Sequence, residues 1–168
     1  MKKTEKKIIY YTDELKDEFA GDSLTAKKID ENYSYDGNPF IRAIARFFWY
    51  RIIFYPGAFL YLKLVYAHKI VNRKVIRKEH KSSLFLFGNH THAMADPYIP
   101  TFVVSPKSNY VIVHANNVSI PVLGKINPCL GAIPLPDNIA ATRNFLKCID
   151  DKIQKKCSVT IYPEAHIW

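Results

Sequence analysis

The stretch SLFLFGNHTHAMADP, residues 83–97, decides how the rest of the chain is read. Leu84, Phe85, Leu86 and Phe87 form an unbroken apolar run, which predicts a strand buried on both faces. Gly88 ends it, and Asn89, His90, Thr91, His92 and Asp96 follow at once. Open α/β sheets keep their chemistry at the carboxyl ends of buried strands. Polar and titratable side chains gathered there predict a functional site. The competing reading is a capped turn, with Asp96 as the N-cap of a helix and Pro97 as its first residue.

Working outward, the other elements fall on either side of this stretch. Tyr110–Val113, Ala132–Leu135 and Ser158–Tyr162 read as further short strands, and Lys74–Ile76 is a candidate for one more. A helix is expected from Asp96-Pro97 to about Val104. Ser119–Gly131 carries Pro121, Gly124, Pro128 and Gly131, so it reads as loop with one short helix. After a cap at Asp137 or Asn138 comes the clearest helix, with Leu146, Ile149, Ile153 and Cys157 on one face. Lys152, Lys155 and Lys156 suit the dipole at its end and read as solvated. Strands alternating with helices predict an α/β fold, a largely parallel sheet with flanking helices.

Length and composition set the bounds. A chain of 168 residues suits one core of real size. Cys129, Cys148 and Cys157 have no metal-type spacing, and no apolar leader follows the basic start. Reduced thiols and a cytosolic setting are expected. Three segments emerge: a polar lead-in over 1–38, a basic aromatic segment over 39–82, and a catalytic α/β domain over 83–168. The middle segment holds ten Lys/Arg against one acidic residue, which accounts for the net charge of +9, and ten of the 23 aromatics. Its longest uncharged run, Ile52–Leu62, is interrupted by Pro56-Gly57 and is short of the roughly 20 residues a membrane span needs. Arg42, Arg46, Trp49, Arg51 and Lys63 around a broken apolar run predict a basic amphipathic segment lying in the membrane interface. A core helix pair with a basic rim is the plainer alternative. Single-stranded nucleic acid also suits basic and aromatic residues, but the expected partner is a lipid surface and not nucleic acid.

Three short motifs follow in order: Asn89-His90 with Asp96, then Gly131-Ala132-Ile133-Pro134, then Tyr162-Pro163-Glu164. Together, behind the basic segment, they resemble the PlsC-like glycerolipid acyltransferases, the lysophospholipid or 1-acylglycerol-3-phosphate acyltransferase family, from about residue 40 onward. The resemblance implies transfer of a fatty acyl group to a hydroxyl of a glycerol-based lysophospholipid. The acyl donor, acyl-CoA or acyl carrier protein, is then a co-substrate, and neither metal nor other cofactor is expected. It also implies a peripheral or monotopic protein on the cytoplasmic face of the membrane.

The residues suit that chemistry. A hydroxyl is a poor nucleophile at neutral pH, and a histidine within reach can take its proton. A carboxylate on the other ring nitrogen fixes the tautomer. His90 is the expected base and Asp96 its partner. No G-x-S-x-G is present, so the acceptor's own hydroxyl would attack. Loop amides near Gly131 are candidate oxyanion donors. Asn89, Gly131, Ile133, Pro163, Glu164 and His166 are the candidate substrate-binding residues.

The chain also departs from the family pattern. Five residues separate His90 from Asp96 instead of four. Asp137 stands where the second motif usually carries arginine, and Ala165-His166-Ile167 replaces Gly-Thr-Arg. Both arginines expected at an acceptor phosphate are therefore missing, with Arg143, Lys125 and Lys107 as possible substitutes. The sequence stops at Trp168, soon after the third motif, so the domain is expected to lack its C-terminal part. Two alternatives stand beside acyl transfer. One is a zinc-dependent hydrolase using His90, His92 and Asp96, with His114 as a further ligand. The other is a truncated, inactive membrane-bound remnant.

Overall fold

The computed structural model describes residues 25–92 and 95–164. Four strands, β1 (Leu84–Phe87), β2 (Asn109–Val113), β3 (Ala132–Pro134) and β4 (Ser158–Ile161), form one sheet in the order β1-β4-β2-β3. Every neighbouring pair is parallel, as the alternation of strands and helices predicts. The order differs from the sequence because β4 inserts between β1 and β2.

That insertion leaves β1 at an edge, paired with β4 alone among the described strands. Burial on both faces, expected from its apolar run, does not hold. Phe85 and Phe87 are 48% and 69% exposed, because the helix covering this face of the sheet reaches β4 and β2 but leaves the edge bare.

That helix is α6 (Ile139–Gln154). Asn138 caps it, its side-chain oxygen accepting from the Ala141 N–H at 2.8 Å. The buried stripe runs Ala141, Phe145, Cys148, Ile149 and Lys152, one face at helical spacing. Leu146, expected on that face, points out, and Cys157 lies past the helix end. Phe145, Cys148 and Ile149 pack on Ile133 of β3 and Val159 of β4. Ile29 and Tyr35, from the segment read as a polar lead-in, complete this core.

Asp137 is what fastens that segment. Its carboxylate accepts from the Ile29 N–H at 2.7 Å, and its own N–H donates to the Ile29 carbonyl at 3.1 Å. Lys152 adds a second tie, with its ammonium 2.7 Å from Asp36 and 2.8 Å from Asp151. The solvated helix end expected of Lys152 is therefore a buried clamp, since its alkyl stem lies in the α6 stripe.

Residues 39–66 form one helical rod: α1 (Pro39–Arg46), a π-helical stretch (Phe47–Phe54) and α2 (Tyr55–Tyr66). At 1.5 Å per residue it is about 40 Å long. Pro56-Gly57 does not interrupt it. The wide turns end with the Tyr55 N–H on the Tyr50 carbonyl, and Pro56 falls in the first turn of α2, where its missing N–H costs little. Tyr50, Ala58 and Leu62 mark the buried stripe. The outward face carries Phe40, Ile44, Phe47, Ile52, Leu60 and Leu64. Among the described residues no helix is long and apolar enough to cross a membrane.

Lys74–Ile76 lies in α3 (Arg73–Lys78), not in a strand, its backbone satisfied locally from the Val75 N–H to the Asn72 carbonyl. The expected helix after Asp96-Pro97 starts later, as α4 (Ile99–Val104), and the loop before β3 holds α5 (Leu123–Leu130). Ala58 and Leu62 of the rod pack with Ala95 and Phe102, so α2 is seated against α4 and the loop after β1.

Candidate active site

The loop leaving β1 turns back so that His90 and Asp96 meet. His90 Nδ1 lies 2.9 Å from Asp96 Oδ2, and the same oxygen accepts the Thr91 N–H at 2.6 Å and the His92 N–H at 2.8 Å. Asp96 is 4% exposed, so a buried carboxylate is held by one imidazole and two amides. It does not cap α4; its carboxylate serves the loop instead. With Nδ1–H donating to Asp96, the neutral ring keeps Nε2 as its basic nitrogen. This is the arrangement that lets a histidine act as a general base toward a hydroxyl.

The third motif arrives beside the first because β4 pairs with β1. Tyr162 stacks on the His90 ring at 5.0 Å between centroids, with 29° between the planes. Its hydroxyl donates to the Asp96 carbonyl at 2.6 Å. Burial, and then the charge of Asp96, push the Tyr162 hydroxyl well above the usual tyrosine range, so it stays a donor. Glu164 Oε2 accepts from the His90 N–H at 3.4 Å. Asn89, Pro163 and Glu164 are exposed around the pair. His166 lies outside the described residues.

The second motif goes elsewhere. Gly131 ends α5 and immediately precedes β3, which lies three strands from β1 and so about 14 Å across the sheet at the usual strand spacing. It sits at the amino end of that strand, whereas His90 follows a carboxyl end. Its N–H bonds the Pro128 carbonyl. It is glycine because its φ is +108° and a Cβ would meet the Asn109 carbonyl at 2.7 Å. Ile133 is 2% exposed in the core. The expected oxyanion donors near Gly131, and contact of Ile133 with substrate, are thus corrected: both residues build the sheet.

Among the basic residues expected at the membrane, Arg42 and Arg46 turn inward. Arg42 donates to the Tyr35 and Pro128 carbonyls, and Arg46 donates to the Cys129 carbonyl while lying between the Tyr50 and Tyr110 rings. They dock the rod onto α5 and β2, because the carbonyls ending α5 face them. Trp49 is half-buried against Phe48 and Phe54. Arg51 is exposed, and Lys63 bonds the His68 carbonyl at 2.9 Å.

The phosphate-binding candidates are likewise placed. Lys107 donates to the carbonyls of His80, Ser82 and Lys156, whereas Arg143 and Lys125 are exposed. His92, the second histidine, accepts the Ala95 N–H on Nδ1 at 3.2 Å and bonds the Tyr66 hydroxyl through Nε2 at 2.7 Å. Both of its ring nitrogens face the loop and α2, not Asp96. Among the described residues no three His, Cys, Asp or Glu side chains converge as a metal would require. The His92–Tyr66 link is a site contact that sequence reasoning missed, since 26 residues separate the partners and no motif joins them.

Comparison of the chain with protein-family models, with curated proteins and with solved structures finds no match in any of the three. The functional reading therefore stands on the residues and their geometry.

Proposed function

We propose that the protein is an O-acyltransferase acting on a glycerol-based lysophospholipid at a membrane surface. The observation that carries this reading is the 2.9 Å contact of His90 Nδ1 with a buried Asp96 that two loop amides hold in place. His90 Nε2 takes the proton of the acceptor hydroxyl as its oxygen attacks the thioester carbonyl of acyl-CoA or acyl carrier protein. The tetrahedral intermediate collapses with loss of the thiolate, which leaves with that proton. A positioned general base is worth about 10²–10⁴-fold. The resemblance of the three motifs to glycerolipid acyltransferases supplies the substrate class.

The outward apolar face of the rod supports the membrane part of the reading. Scattered exposed apolar residues are ordinary on a protein surface, but a continuous helical face of them is a lipid- or partner-binding feature. A peripheral or monotopic position on the cytoplasmic face follows from the same proposal, with the rod in the interface and the loop after β1 beside it.

The test is acyl transfer by the purified protein in the presence of lipid vesicles. Acyl-CoA and acyl carrier protein are the donors, and lysolipids with and without a phosphomonoester are the acceptors. Transfer by the wild type and none by His90→Ala, with the circular dichroism spectrum unchanged, is the expected result. Wild-type rates in His90→Ala would overturn the assignment.

A further inference from the structure

The loop after β1 contains a backbone group that the chain cannot satisfy locally. In a helical turn the carbonyl of residue i takes the N–H of residue i+4. For Asp96 that residue is Pro100, which has no N–H. The Ile99 N–H, one position earlier, is used by the Ala95 carbonyl at 3.0 Å. Asp96 is buried, and a buried carbonyl left unpaired is costly. The bond comes instead from Tyr162, 66 positions along the chain, at 2.6 Å.

The same tyrosine lies flat against His90. Gly88 makes room for it, since a Cβ there would meet the ring at 3.0 Å. One side chain thus bonds the main chain of the carboxylate residue and covers a face of the imidazole. We propose that Tyr162 is a positioning residue for the His90–Asp96 pair, acting through the hydroxyl that replaces the N–H missing at Pro100. This rests on the reading of His90 as the general base. It adds what holds that base in register: the carboxyl end of β4, through a bond only a hydroxyl-bearing ring supplies.

The test uses the full chain with Tyr162→Phe, which keeps the ring and deletes the hydroxyl, and with the double variant Tyr162→Phe/Pro100→Ala, which returns an N–H at position 100. Misplacing a catalytic group by about 1 Å costs up to the order of a hundredfold. Tyr162→Phe should lower kcat about tenfold or more with KM unchanged. The downfield proton resonance of His90 Nδ1–H, which reports its bond to Asp96, should move upfield. The double variant should recover both. The resonance is read without substrate, so it tests Tyr162 even if the wild type transfers no acyl group, a result that would overturn the acyltransferase reading alone. A wild-type resonance in Tyr162→Phe, or a shifted one that Pro100→Ala fails to restore, overturns the proposal.

Discussion

Asp96 concentrates more of the site than any other residue, because one oxygen serves three donors. Replacing it with Asn keeps the volume but turns part of the group into a donor facing the Thr91 and His92 amides. Asp96→Asn should therefore lower kcat on the order of 10⁴-fold through the wrong imidazole tautomer. It should also cost roughly 1–3 kcal/mol of stability from mismatched buried hydrogen bonds. Steady-state kinetics beside a denaturant titration checks both, and unchanged stability would show that the amides have found other acceptors. His90 and Asp96 were legible in the sequence because they lie six positions apart in one loop, where backbone geometry alone brings them close. Arg42 and Arg46 were not. Charge says that a residue wants a partner; the exposed carbonyls that end α5 decided which one.

At the level of elements, the clamp of Lys152 on Asp36 and Asp151 ties the segment before α1 to α6. Burial opposes the Lys152 charge, but its bonds to Asp151 and Asp36 outweigh it and raise its pKa above the usual 10.5. The bonds of Lys152 and Lys155 lower that of Asp151 below 3.8. A raised lysine contributes stability that is whole below its unfolded value and fades as pH climbs through the folded one. A lowered aspartate contributes above its unfolded value and fades as pH falls through the folded one. Lys152→Met keeps the buried stem and leaves both carboxylates in contact with water, so it should cost only about 1 kcal/mol, or about 2–4 °C in Tm. The difference from wild type should be flat from about pH 5 to pH 9 and shrink outside that range. A difference that grows below pH 4 would mean that the clamp is not an ion pair. A second element-level expectation concerns Gly131. Gly131→Ala should destabilise by roughly 1–3 kcal/mol without altering KM, since the position shapes β3 and lies far from His90.

Across the whole molecule, the rod turns apolar residues outward and two of its arginines inward, which changes how lipid binding should respond to salt. Arg42 and Arg46 hold protein carbonyls, so under the proposed membrane reading attraction to anionic lipid is left to Arg51, Lys63 and the exposed Lys74, Arg77 and Lys78 of α3. Phe47→Glu with Ile52→Glu should weaken binding to neutral and anionic vesicles alike. Lys74→Glu with Arg77→Glu and Lys78→Glu should remove only the extra binding to anionic ones. Vesicle sedimentation at about 0.1 and 1 M salt, where the Debye length is about 10 and 3 Å, separates the two contributions. Binding that vanishes at high salt would show that the apolar face does not insert.

Local pattern by itself determined the class of the fold and that the His90 loop, the candidate site, follows the carboxyl end of a strand. Apolar runs of four or five residues, punctuated by glycine and proline and alternating with a capped helix, leave few arrangements other than a parallel sheet with the loop of His90 at its carboxyl edge. The tertiary structure alone decided the strand order, and with it which motifs meet. Inserting β4 beside β1 carried Tyr162 and Glu164 to His90, left Phe85 and Phe87 bare at the edge, and placed Gly131 three strands away. Strand order is a matter of which faces bury together over separations of some 70 residues, and periodicity along the chain holds no record of it. The direction of the rod's arginines and the burial of Lys152 belong to the same class. Each depends on a carbonyl or carboxylate brought up from a distant segment, which composition counts but cannot locate.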